Sequence, residues 1–421
     1  MTHQESRLWR EADLSLEVVI LLLIGEFLLL FGLLLFRIGT GELPYNPDST
    51  YGLFLIFISL QIISLGKTPL GDLRRSWVVI LGGICTAVLG MAACFIPGLL
   101  SDPVRIITGL LLVCGGLTLL FRLYIRHGKG DGILVLPGLV RLVIAACIAI
   151  YVFSVLAGLI TLFPGMVKTV QTAVFLILYG IPYFILALSI RAVERRYPQA
   201  ETRPDSRREA PPHPRRGLFR LLDESPLGFG PAIALFTGVL LAFLGLLLIP
   251  ISQGTLPFSP DALYGLLIVI TSLQIIFGDT PVGTCTRSWV LVLTGYLCSA
   301  VGIFSCIVPG VLTGILQPVL GLVNIIGGVI LLARRYSPLL LPPESRSPPA
   351  PPVVRELNRI LTLINLVAII FGVSMLIPGI ITGTFQGLVI FLYGILLFIL
   401  ARQLDRLEWM RSSLPDPAGP A

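Results

Sequence analysis

Apolar runs of roughly 18 to 25 residues recur along the whole chain, and a helix of that length crosses a hydrocarbon core of about 30 Å at 1.5 Å per residue. Polar residues gather in short stretches between the runs. The pattern predicts helices near 17–36, 47–65, 77–97, 103–125, 138–162 and 167–191, then near 230–250, 260–277, 288–309, 314–333, 356–378 and 382–402. Local signals punctuate them. Asn46-Pro47-Asp48 supplies an N-cap, a proline at the first helical position and an acid near the positive helix end. Ser259-Pro260-Asp261 repeats the arrangement. Pro97-Gly98, Pro164-Gly165, Pro309-Gly310 and Pro378-Gly379 each close a helix, since proline ends the ladder and glycine permits the turn. The expected fold is an all-α membrane protein of about twelve transmembrane helices.

Self-similarity refines this. Shifted by 213, residues 44–63 match 257–276 at 11 of 20 positions; shifted by 212, residues 68–98 match 280–310 at 13 of 31. Shared features include Ser-Leu-Gln-Ile-Ile at 59 and 272, Arg-Ser-Trp-Val at 75 and 287, and Cys94 with Cys306. Leu178-Tyr179-Gly180 returns as Leu392-Tyr393-Gly394. Two parallel six-helix halves follow, at 1–191 and 230–411, joined by a basic linker at 192–229 and ending in a disordered tail at 412–421. Within each half glycines recur seven apart, two helical turns on one face: Gly25 with Gly32, Gly83 with Gly90, Gly238 with Gly245, and Gly295 with Gly302. Gly158 precedes Pro164 as Gly372 precedes Pro378, and the even helices show Gly109 with Gly115 and Gly321 with Gly327. Such positions let helix backbones approach closely in lipid. The repeating unit reads as a helical hairpin, three to a half.

Hairpins with a glycine-rich first helix, a terminal proline and a glycine-rich return helix resemble the HdeD family. The resemblance covers most of both halves and rests on the glycines and prolines just named; this chain doubles the six-helix unit and adds long linkers. It implies a multi-pass bacterial inner-membrane protein associated with acid resistance, without an enzyme active site.

Charge fixes orientation. Of 30 Lys and Arg, only Arg37, Arg105 and Lys168 fall on the odd-to-even side; the other 27 lie at the termini and the even-to-odd loops. Basic residues stay in the cytoplasm, which places both termini there and the Pro-Gly turns outside. Trp9, Trp77, Trp289 and Trp409 fall at the same cytoplasmic helix ends, half of an interfacial aromatic belt. The net charge of +7 is thereby explained without nucleic acid. Residues 192–228, with Arg191 just before them, and the Pro-rich loop 336–352 read as disordered or polyproline segments. The N-terminus lacks the basic region and cleavage site of a signal peptide, so its first apolar run is expected to remain.

Searches for chemistry return little. His3, His127 and His213 are far apart, and no paired-Cys or His-Glu-x-x-His motif exists, so no metal or other cofactor is expected. The seven Cys, mostly inside apolar spans, read as small apolar filler. Gly66-Lys67-Thr68 lacks the preceding glycine of a phosphate loop, with Gln61 in its place. Gly71-Asp72-Leu73-Arg74-Arg75 faintly resembles the loop motif of major-facilitator transporters, but the matching loop at Gly283–Arg287 lacks the acid, and a hairpin repeat differs from inverted triplets. Polar residues at membrane depth remain as candidates. Glu26 is a proton or cation site, or else a neutral acid hydrogen-bonded to a neighbouring helix; its repeat counterpart is Val239. Gln61 and Gln274 occupy matching positions, lining a path or bonding helices together. Asn324 and Asn365 carry the same two readings. Beyond the bilayer, the expected partners are another membrane protein or further copies of this chain. The alternative functions are a twelve-helix transporter, proton-coupled through Glu26, and a membrane scaffold.

Overall fold

A computed structural model describes residues 14–64, 76–98, 100–127, 138–196, 229–277, 289–336, 352–377 and 383–413. The linker at 197–228, the loop at 337–351, the Gly66–Arg75 loop, Pro378-Gly379, Cys285, Trp9, His3, His213 and the tail from 414 lie outside them.

Twelve α-helices account for the regular structure among the described residues: α1 (Leu16–Gly39), α2 (Pro47–Ser64), α3 (Trp77–Phe95), α4 (Ser101–His127), α5 (Gly138–Leu162), α6 (Thr169–Arg196), α7 (Phe229–Ser252), α8 (Pro260–Phe277), α9 (Trp289–Ile307), α10 (Thr313–Tyr336), α11 (Pro352–Leu376) and α12 (Gly383–Ser413). Ten are long and apolar enough to cross a membrane. The exceptions are the repeat counterparts α2 and α8, each 18 residues in length. At 1.5 Å per residue they reach about 27 Å, just short of a full hydrocarbon core. The chain is a multi-pass membrane protein.

The helix ends follow the expected chemistry. Asn46 Oδ1 accepts from the Ser49 amide at 3.2 Å, and Asp48 Oδ2 accepts from the Gly98 amide at 2.8 Å, fastening the start of α2 to the turn after α3. Gly98, Gly165 and Gly310 take φ of 81°, 94° and 82°, the left-handed conformation that only glycine adopts without strain. At the α1–α2 turn Arg37 donates to Glu42, and that bond holds the Glu42 carboxyl below the usual carboxylate range. Arg105 pairs with Asp102 at 3.1 Å, so both arginines on that side of the chain have an acid partner.

Contacts divide the described helices into two compact units: Met1–Ser225 with Ser259–Val311, and Pro226–Phe258 with Leu312–Ala421. In the first, α1 lies along α6, α2 along α3, α4 along α5 and α8 along α9. In the second, α7 lies along α12 and α10 along α11. The expected odd–even hairpin packs at α5–α6 and α11–α12, though less extensively than the pairs just named, whereas α1 touches α2, and α3 touches α4, only lightly. The reason is where the glycines point. A Cβ added to Gly90 of α3 would sit 2.6 Å from the Gly52 carbonyl oxygen of α2, and one on Gly302 of α9 would sit 2.6 Å from that of Gly265 on α8. Gly158 of α5 faces the Gly109 carbonyl of α4, and Gly372 of α11 faces that of Gly321 on α10. Gly25 and Gly32 of α1 meet α6, Gly238 and Gly245 of α7 meet α12, and Gly83 and Gly295 meet Ile63 and Ile276. Glycine thus marks the close pairs, four of which join consecutive helices across the even-to-odd loops, while α1–α6 and α7–α12 join helices distant in the chain. The even-helix partner of Gly109 is Gly116 rather than the expected Gly115, and that of Gly321 is Gly328 rather than Gly327. A spacing of seven keeps both glycines on one face, which a spacing of six does not.

These seams make a direct prediction. Gly90→Ala and Gly302→Ala should lower the thermal unfolding midpoint in detergent, each by overpacking of about 1–3 kcal/mol. Gly82→Ala and Gly115→Ala, with nothing within 4 Å of the added methyl, should leave it unchanged or raise it by the ~0.5–1 kcal/mol helix preference of alanine. Equal midpoints for all four variants would show that the seams yield freely.

Candidate functional site

Glu26 stands near the middle of α1, next to Gly25, whose missing side chain brings α6 against α1 through Tyr183 and Phe184. The carboxyl lies on the other side, toward α9, where Ser299 and Tyr296 come into interaction range. Tyr296 Oη donates to the Val19 carbonyl of α1 at 3.2 Å, fixing α9 against α1 two turns before Glu26. Ser299 is fully buried. Neither Ser299 Oγ nor Glu26 Oε2 completes a hydrogen bond among the described residues, although both atoms are buried. A buried polar atom without a partner costs about 1–3 kcal/mol, and Ser299 is the side chain within reach of this carboxyl. The Arg191 guanidinium of α6 lies 4.7 Å from the ring centre of Trp289, the first residue of α9. Tyr296 therefore fastens α9 to α1, and Arg191 joins α6 to the start of α9, about 15 Å along that helix from Ser299.

Gln61 is placed differently. Its Oε1 accepts from Tyr183 Oη of α6 at 3.3 Å, and Tyr183 Oη lies 3.4 Å from Tyr179 Oη, one turn earlier. Ser154 of α5 approaches the Tyr179 hydroxyl and donates to the Leu112 carbonyl of α4 at 3.1 Å. Phe153 stacks on the Tyr179 ring at 5.9 Å. Gln61 thus begins a buried polar chain that crosses α2, α6 and α5. Gln274, its counterpart on α8, is half-buried. Asn324 donates to the Leu320 carbonyl of its own helix at 2.8 Å, and Asn365 is buried on α11. Among the described residues no group of three or more His, Cys, Asp or Glu is placed to hold a metal.

Sequence reasoning singled out Glu26 and Gln61 but missed Tyr183, Tyr179, Tyr296 and Ser299. A signal for them existed in the repeat. At matching positions Tyr183 gives way to Leu397, Ser154 to Ala368, Tyr296 to Ile84 and Ser299 to Ala87. Tyr179 keeps its type at Tyr393, and the other polar partners are residues at which the halves disagree. No known protein family, curated protein or solved structure matches this chain.

The orphaned oxygen gives a test of the Glu26 environment. Glu26→Leu should raise the unfolding midpoint, by an effect of about 1–3 kcal/mol, because it removes the unsatisfied atom. Tyr183→Phe should lower it by about 1 kcal/mol, because Gln61 then loses its donor. A fall in stability on Glu26→Leu would mean that the carboxyl has a structural partner.

Proposed function

We propose that this chain is an HdeD-like protein of the bacterial inner membrane that contributes to tolerance of acid or envelope stress without catalysing a reaction. Its architecture, on this reading, is two parallel six-helix halves with both termini in the cytoplasm. The observation that carries the proposal is Glu26, an ionisable side chain at membrane depth whose second carboxyl oxygen is buried and unbonded. Such a group is costly in lipid and by default functional. A carboxyl at that depth can release and take up a proton, which is the chemistry that tolerance of acid would draw on. A second reading, a proton-coupled secondary transporter, draws on the same residue together with the Gln61–Tyr183–Tyr179 chain, which supplies further hydroxyl and amide groups in the same unit.

Topology is tested first. In a cysteine-free background, Asp102→Cys and Val311→Cys flank the Pro-Gly turns and should react with a membrane-impermeant maleimide added outside the cell. Reaction only after the cytoplasm is opened would reverse the orientation. For function, deletion of the gene should reduce survival and lower cytoplasmic pH after acid challenge. Rescue by wild type but not by Glu26→Gln points to proton handling and favours the transporter. Rescue by both keeps the stress role and makes Glu26 dispensable for it. An unchanged deletion strain removes the stress role.

A further inference from the structure

Seven cysteines are distributed over the chain, and only Cys94 and Cys306 occupy matching positions in the repeat. Cys85 corresponds to Leu297 and Cys114 to Ile326, and both of those thiols are exposed on apolar helix surfaces, as filler would be. Cys94 and Cys306 behave differently. They are 0% and 1% exposed, at the final turns of α3 and α9. Each is held in the same way by its own paired helix. Cys94 Sγ donates to the Ser49 carbonyl at 3.4 Å, and Cys306 Sγ to the Ala262 carbonyl at 3.6 Å. The neighbouring backbone then joins the two helix pairs reciprocally. The Asn46 amide donates to the Ile307 carbonyl at 3.2 Å, and the Ser259 amide to the Phe95 carbonyl at 3.3 Å. Ile307 and Phe95 directly follow the two cysteines. This exchange brings the thiols together, within range of a hydrogen bond between them.

We propose that Cys94 and Cys306 are an oxidisable pair whose disulfide staples the α2–α3 pair to the α8–α9 pair. The step removes one hydrogen from each thiol and forms one S–S bond. Dioxygen accepts the two electrons and two protons and leaves as hydrogen peroxide. It is small and apolar enough to enter the bilayer and reach thiols from which bulkier oxidants are excluded. Exchange with soluble disulfides is slow here, because both sulfurs are buried and a bulky reagent cannot reach them. Once formed, the bond is shielded from reductants by the same burial. It closes a loop from residue 94 to residue 306, long enough for a cross-link to restrict the unfolded chain strongly.

The test uses the full chain with one engineered protease site between Arg208 and Glu209 and with Cys85, Cys114, Cys147, Cys285 and Cys298 replaced by Ser. Purified protein is treated with copper–phenanthroline in air, alkylated, cut and run on a denaturing gel without reductant. The expected result is that most of the cut protein migrates as one linked species. Reductant should resolve it into fragments of 208 and 213 residues, before the added site is counted (421 − 208 = 213). Cys94→Ser or Cys306→Ser should abolish the linkage. Two separate fragments from oxidised protein that elutes as a single monodisperse peak would overturn the proposal. Should the five-serine background aggregate, wild type is oxidised and digested instead. A Cys94–Cys306 linked peptide by mass spectrometry then supports the pairing, and its absence overturns it.

Discussion

Backbone-to-backbone contact at glycine is the interaction on which the remaining structure depends. Lipid tails are as apolar as leucine, so no hydrophobic gain draws one membrane helix to another. Attraction comes from many small dispersion terms, each falling steeply with distance. Where Gly90 faces Gly52, or Gly158 faces Gly109, a carbonyl oxygen occupies the space in which a side chain would begin. Helices paired in this way approach along their length, and their larger side chains interlock on either side. The pairing then determines which faces are left for lipid. Only 28% of the spanning window of α4 and 22% of that of α10 is buried, against 56% for α1 and α6. Leu117, Phe121, Leu322 and Ile326 stand on these open faces.

The helices were legible in the sequence because bilayer thickness dictates their length and proline and glycine mark their ends. Predicted and observed bounds of α5 and α8 coincide. Asn46 and the Pro97, Pro164 and Pro309 turns act as their residue types require. Pairing was less legible. A glycine stripe states that a helix has a close partner and is silent on which one, so the short α1–α2 and α3–α4 connections suggested hairpins that the contacts do not favour. At Gly115-Gly116 two adjacent glycines offered two registers: the expected spacing of six points to Gly115, whereas the spacing of seven seen in the odd helices selects Gly116. The site was half legible. A charge in an apolar run is conspicuous, which is why Glu26 stood out. Tyrosine and serine are common in such runs, and Tyr183 or Ser299 acquires meaning only through what it faces.

A duplicated architecture also explains where polarity is tolerated. The glycines and turn prolines recur in both halves, since each half needs the same seams and the same ends. Glu26, Tyr183, Tyr296 and Ser299 have apolar counterparts in Val239, Leu397, Ile84 and Ala87. The scaffold is therefore satisfied with hydrocarbon at all four positions, and the polar versions are additions to it. Asymmetry of this kind separates what the fold requires from what it carries.

The placement of Glu26 bears on how the protein is made. Its neighbours on α9 lie 273 residues later in the chain (299 − 26 = 273). At about 5–20 residues per second, ribosomes need roughly 15 to 55 s to produce them. Throughout that interval α1 resides in the bilayer with its carboxyl facing lipid or provisional company, and α6 arrives before α9 does. A helix in that condition is what membrane quality-control proteases and insertion chaperones encounter. The nascent chain is therefore most vulnerable before α9 emerges, and slow translation across residues 192–288 would lengthen the exposure.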